Sequence, residues 1–332
     1  MKKIKKLLIY CLVFSLSVFF ISCTKEQKKP APKSDNEPKP VPPVMEEIEL
    51  EILGIMKKVD LIPYYERQIA EKKKKIEEKK QMEILTGKKD EQKNQGKQGG
   101  GAEGEEKKDE EDQSSEISKL IEFKPEPITI NDTVLADILK EEMAENKNNN
   151  QGKIPDTIVT VWHEINNKVK GLHEKWNSLE PELIKENTPH EAISGFENTL
   201  NSLTVASSQY KYMETLMFSN KLTSYIPDLI SNFKKKTPNQ IYHTKYFIRD
   251  IVINVSNNDY TKANETYKKL VIYKDALISQ LAEKNLSDVA NKLNTSIADL
   301  QNAINLKNIS IIKIKASVVM KNVNSAKEEL SK

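Results

Sequence analysis

The chain has 332 residues, 30% of them Asp, Glu, Lys or Arg and 6% aromatic, with a formal net charge of +3. Its length would allow two domains, but the polar composition and several biased segments leave room for one sizeable core. Four of the 52 basic residues fall within the first 22, with no acid; the rest of the chain holds 48 basic against 49 acidic residues, which removes the support for a global nucleic-acid role.

Lys2, Lys3, Lys5 and Lys6 precede an apolar run from Leu7 to Ile21 that ends at Ser22 and Cys23. A basic start, a short apolar core and a small residue at its end form the layout of a secretory signal, and the run is shorter than the roughly 20 residues a spanning helix needs. Phe20-Ile21-Ser22-Cys23 resembles the lipobox of bacterial diacylglyceryl lipoproteins, with Phe20 where that family usually has Leu. The resemblance implies a signal peptide over 1–22 and a mature protein that starts at a lipidated Cys23, carrying acyl chains such as palmitate. It also implies an extracytoplasmic protein anchored to a membrane of the bacterial cell envelope. Each buried methylene contributes about 0.8 kcal/mol, so two acyl chains hold more firmly than one. Cys11 is the other cysteine and lies in the signal; the mature chain then forms no internal disulfide and relies on packing.

The stretch 23–43 is rich in Lys and Pro, including Pro30, Pro32, Pro38, Pro40, Pro42 and Pro43, and reads as an extended stalk of about 3.1 Å per residue. Amphipathic and charged helices are expected over 44–85. Met45, Ile48, Ile52, Ile55, Val59 and Ile62 recur at three or four residues, and Tyr64 to Leu85 carries opposite charges four apart, as at Arg67/Glu71 and Lys74/Glu78. The lysines from Lys72 to Lys75 are interspersed among glutamates and read as a solvated face, not as a lipid-binding cluster. The segment 86–115 has no periodic apolar residue and is expected to be disordered. A connector with one short helix fills 116–154, the helix capped by Asn131 or Asp132 and running to about Lys147.

A helical bundle domain is expected over 155–332. Ile158, Trp162, Ile165, Val169, Leu172, Trp176 and Leu179 are spaced alternately by four and three, an unbroken heptad seam of the coiled-coil kind. Thr188, Pro189 and Glu191 read as a capping box. Further stripes follow on a helix with Tyr210, Met213, Met217 and Ile226 that ends or kinks near Pro227, on one with Ile241, Ile248 and Val252, on one capped by Asp259, on one opening at Ser287, and on a last one from Ile309 to Leu330. No segment alternates as a strand would. The fold class is therefore all-α, an antiparallel helical bundle preceded by a low-complexity tether.

Candidate chemistry is sparse. His163-Glu164 and His173-Glu174 resemble the start of a zinc-protease helix, but Asn167 and Asn177 occupy the second ligand position, so no metal site is assigned. Gly171-Leu172-His173-Glu174-Lys175-Trp176 resembles in part the Gly-x-His-x-x-Glu motif of imelysin-like helical proteins, with Trp176 in place of the carboxylate. That resemblance implies an alternative role in binding a small ligand, a metal or haem. Tyr210, Tyr212, Met213, Met217, Phe218 and Tyr225 form an aromatic and methionine cluster that reads first as core and second as the lining of a pocket. No nucleophile elbow or paired-cysteine motif is present, and no catalytic residue or cofactor is assigned. The expected function is non-enzymatic: a lipid-anchored helical bundle that meets an envelope protein or surface ligand, bound to the membrane through Cys23 and not to nucleic acid.

Overall fold

The computed structural model describes residues 37–91, with side chains to 82, together with 123–144 and 154–332. Cys23, the part of the expected stalk before residue 37 and the greater part of the 86–115 segment lie outside the described residues. The helices are α1 (Pro43–Asp60), α2 (Ile62–Glu91), α3 (Ala136–Glu142), α4 (Ile158–Lys185), α5 (His190–Ser208), α6 (Tyr212–Thr223), α7 (Ile226–Leu229), α8 (Asn239–Ser256), α9 (Tyr260–Glu283), α10 (Ser287–Leu306) and α11 (Ile309–Leu330). Among the described residues there is no strand, only an isolated parallel bridge between Pro40 and Lys234.

The heptad seam of α4 is the spine of the first half. Trp162, Ile165, Val169, Leu172, Trp176 and Leu179 are all buried, and the Thr157 side chain accepts the Thr160 N–H to start the helix. Trp176 stacks on Phe196 of α5 with ring centroids 4.3 Å apart, a geometry aromatic pairs favour. α1 packs against α4, α4 against α5, α5 against α6, and α6 back against α1, closing a ring of four. A second ring follows the same rule: α8, α9, α10 and α11 each pack on the next, and α11 returns to α8. The two rings meet where α6 contacts α8.

The core does not begin near residue 155. Ile48, Ile52, Ile55 and Val59 of α1, and Leu135, Ile138 and Leu139 around α3, belong to the same apolar cluster as Trp176 and Val323, and Lys39–Lys332 forms one compact unit. The period of α1 demanded a cover for its apolar face, and the cover is α4 and α6, more than a hundred residues further on.

Other boundaries also move. α2 continues past Leu85 and Gly87 to Glu91. The helix expected from Asn131 to Lys147 is only Ala136–Glu142 among the described residues, because Asp132 is held by Arg67 and Thr129 and does not cap it. The capping box at Thr188 is absent: α5 starts after Pro189 without a side-chain cap, and the Thr188 hydroxyl donates instead to the Leu229 carbonyl. The helix through Tyr210 and Ile226 is split into α6 and α7, with Pro227 in the first turn of α7. Asp259 caps α9 as expected, accepting the Lys262 N–H, and Asn308 does the same for α11 at Ile311.

The helices are joined by short turns with a shared device. Asn187, Tyr210, Asn258 and Asn285 each adopt positive φ just beyond a helix end, and the next residue's N–H returns to a carbonyl five residues back, as at Thr188 to Leu183 and Asp259 to Asn254. Asn tolerates this left-handed conformation better than most residues.

Candidate functional site

The two rings are tied together by the stretch 123–144, which crosses them as a strap. At its start the Tyr64 hydroxyl donates to the Glu126 carbonyl at 2.9 Å, and the Gln68 side chain accepts the Glu126 N–H at 2.9 Å. Arg67 forks onto Asp132 through Nε and Nη2, at 3.0 and 2.8 Å, and reaches Glu126 with Nη1. Lys313 of α11 donates to the carbonyls of Ile130 and Thr133. Asp60, the last residue of α1, accepts the N–H groups of Val134 and Leu135 at 2.6 and 2.8 Å and the Tyr212 hydroxyl at 3.3 Å. Burial raises its carboxyl to about 6, the two N–H groups pulling the other way. An acid from α1 thus fixes the backbone just before α3, a helix that has no side-chain cap of its own.

At the far end of the strap Glu142 meets Arg249 of α8 in a buried pair, both carboxylate oxygens accepting from Nη1 and each side chain 2% exposed. Arg249 also donates to Asn220 Oδ1 at 2.8 Å and Thr223 Oγ1 at 2.7 Å, both on α6, and Lys245 Nζ lies 3.9 Å from Glu142. Burial alone would raise the Glu142 carboxyl, but the Arg249 and Lys245 charges outweigh it and hold Glu142 below its ordinary value. Asn324 of α11 donates to the Glu141 carbonyl at 2.6 Å. The only two arginines in the chain therefore both clamp the strap, one near each end, where five donors in a fixed plane suit a carboxylate better than lysine does.

Beside this cluster lies a cleft of about 390 Å³. One wall is Pro40 to Pro43 and Met45 with Glu46 and Glu49; the other includes Ile230, Lys234, Lys235, Lys236, Thr237, Tyr242 and Lys327. Glu49 is raised by burial and feels the charges of Lys245, Glu142, Lys327 and Arg249, so the buried cluster and the cleft share one electrostatic field. Tyr242 is pushed up to about 12 by burial and the nearby Glu49. The cleft can receive a ligand; the Glu142 pair, satisfied on every side, is a fastening.

The residues singled out from sequence are dispersed. Cys23 lies outside the described residues. His163 is exposed on α4, and His173 shares a hydrogen bond with Thr204 at 2.8 Å. Among the described residues no three His, Cys, Asp or Glu side chains converge as a metal site would require. Trp176, at the carboxylate position of the imelysin-like motif, is core. The Tyr and Met cluster divides: Tyr212 serves Asp60, Tyr225 packs edge-on to Phe196, Tyr210 lies against Trp162, and Met213 and Met217 cover the core. Phe218 lines a shallow, open hollow with Val205, Ala206 and Lys211. The cleft was missed in sequence because its walls come from three distant stretches; the one local signal was Lys234-Lys235-Lys236, a cationic run with no interspersed acid.

Comparison of the chain with protein-family models, with curated proteins and with solved structures returns no match.

Proposed function

We propose that this protein is a membrane-anchored, extracytoplasmic lipoprotein without enzymatic activity, whose helical rings are presented to another macromolecule of the cell envelope. The observation that carries the reading is the sequence Phe20-Ile21-Ser22-Cys23 at the end of a basic and apolar leader, followed by a Lys/Pro-rich stretch that leads to the compact unit at Lys39. A lipid on Cys23 fixes the chain at one end, and the stalk gives the rings reach. The outer face of α11 supplies a contact surface in keeping with this role: Ile311, Ile314 and Val318 follow at helical spacing and are 37%, 52% and 44% exposed. A ligand-binding role finds its support at the cleft and not at His173 or the Tyr and Met cluster.

Mass spectrometry of the protein from its native membrane tests the anchor: the reading expects a mature terminus at Cys23 carrying acyl chains. An unmodified thiol, or a terminus elsewhere, overturns it. A photo-crosslinking residue at Ile314 is then expected to capture a discrete envelope protein, and one on the opposite ring at Ile184 to capture none.

A further inference from the structure

Some lysines of this protein are held in ion pairs: Lys39 pairs with Glu186, Lys58 with Glu164, Lys72 with Asp156, Lys168 and Lys175 with Glu51, and Lys315 with Asp299. Lys234, Lys235, Lys236 and Lys327 are not paired in this way with any described residue, and all four line one cleft. The lining carries four ammonium groups against the two carboxylates of Glu46 and Glu49, and an anion among the lysines relieves the repulsion that this excess leaves. One helix start adds to the field: α1 begins at the cleft after Pro42 without a side-chain cap, so the partial positive charge of its first turn lies at the cleft.

The opposite wall adds apolar surface from Pro40, Val41 and Pro43 beside Glu46 and Glu49. The cleft volume falls in the range of small-molecule sites, about 300–1,000 Å³, and does not admit a nucleic-acid duplex. Glu46 and Glu49 at the α1 wall oppose a polyanion. They suit a head with a single negative charge and hydroxyl donors beside it.

We propose that this cleft binds the headgroup of an anionic amphiphile, a phosphate-bearing head lying among Lys234, Lys235, Lys236 and Lys327 and the start of its apolar part against Pro40, Val41 and Pro43. The source is a phospholipid, and the shared phosphate chemistry also allows a free phosphate to compete. The position favours lipid: Lys234 N–H donates to the Lys39 carbonyl at 2.7 Å, so the chain enters the compact unit beside the cleft. The choice of lipid as the source rests on the proposed anchor at Cys23, and the test omits the acyl group so that the two can fail separately.

The chain from residue 24 onward is mixed with phosphatidylcholine vesicles, with vesicles in which about a third of the lipid is phosphatidylglycerol, with monomeric short-chain phosphatidylglycerol, and with inorganic phosphate. Sedimentation with the anionic vesicles alone, and one-to-one calorimetric binding of the short-chain lipid, are expected. Inorganic phosphate is expected to bind far more weakly. The variant K234E/K235E/K236E is expected to lose about tenfold or more of the binding, while K262E/K268E/K269E, the same charge change on exposed α9 positions, is not. Binding to neither lipid form, equal loss in the two variants, or phosphate binding as tight as lipid overturns the proposal. Melting curves separate loss of binding from loss of fold, and K327Q decides the matter if the triple variant does not fold.

Discussion

The buried pair Glu142–Arg249 makes a quantitative demand. Both side chains are fully enclosed, and Arg249 also holds Asn220 and Thr223 of α6, so removing one charge strands the other away from water. Glu142→Gln leaves a guanidinium facing Lys245 with only the more distant Glu49 as a counter-charge. Arg249→Met leaves a carboxylate with only the longer contact from Lys245, and two α6 acceptors lose their donor. Breaking a buried pair from one side costs about 3–5 kcal/mol, a large fraction of the roughly 5–15 kcal/mol that a folded domain has in total. Replacing both partners with apolar residues of similar volume, Glu142→Leu with Arg249→Met, removes the desolvation cost as well as the attraction and is expected to recover most of that loss. Urea unfolding followed by circular dichroism at neutral pH, on both single variants and the double, measures the coupling directly. Single variants that lose less than about 1 kcal/mol, or a double variant that loses the sum of the two, would refute the view of this pair as a buried, mutually dependent fastening.

Asp60 predicts a pH dependence. Its folded value of about 6 lies above the ordinary 3.8, so the native state takes up the proton more readily than the unfolded chain. Its contribution is fully present below about 3.8 and is lost as pH rises through 6. The stability of the protein relative to Asp60→Asn should therefore gain up to about 3 kcal/mol between pH 7 and pH 4, and a flat difference across that window would contradict the burial of this carboxyl. Gly195→Ala places a new methyl 2.6 Å from Cε1 of the Tyr225 ring; a loss of about 1–3 kcal/mol is expected, shrinking when Tyr225→Ala is added, as thermal melts of the single and double variants will show. Asn308→Ala removes the acceptor for the Ile311 N–H at the start of α11 and is expected to lower stability by about 1 kcal/mol in the same assay. An unchanged melting temperature would mean that water replaces the cap.

What could be read in the sequence was whatever one helix decides for itself. The seam from Trp162 to Leu179 is buried as its period requires, and Asp259 caps α9 because the acceptor and the N–H it serves lie three residues apart. The strap could not be read in this way. Its partners on Tyr64, Arg67, Asp60, Arg249 and Lys313 lie from about 60 to 180 residues away, and no local pattern announces them. Thr188 shows the converse error: its neighbours fit a capping box, but a carbonyl at Leu229 competes for the hydroxyl. For the cleft, only the lysine run lay in one piece. The apolar wall that makes those lysines a site comes from residues almost two hundred positions earlier.

The two rings differ in how far the chain must travel to close them. Residues 239–330 supply all four helices of the second ring in succession, through turns of only a few residues, so its contacts are local and inexpensive in loop entropy. The first ring cannot close until α1 has found α4 and α6 across the whole stretch that contains α2, the strap and α3. The carboxyl-terminal half is accordingly expected to acquire hydrogen-exchange protection first, and the amino-terminal helix α1 to be the last piece seated.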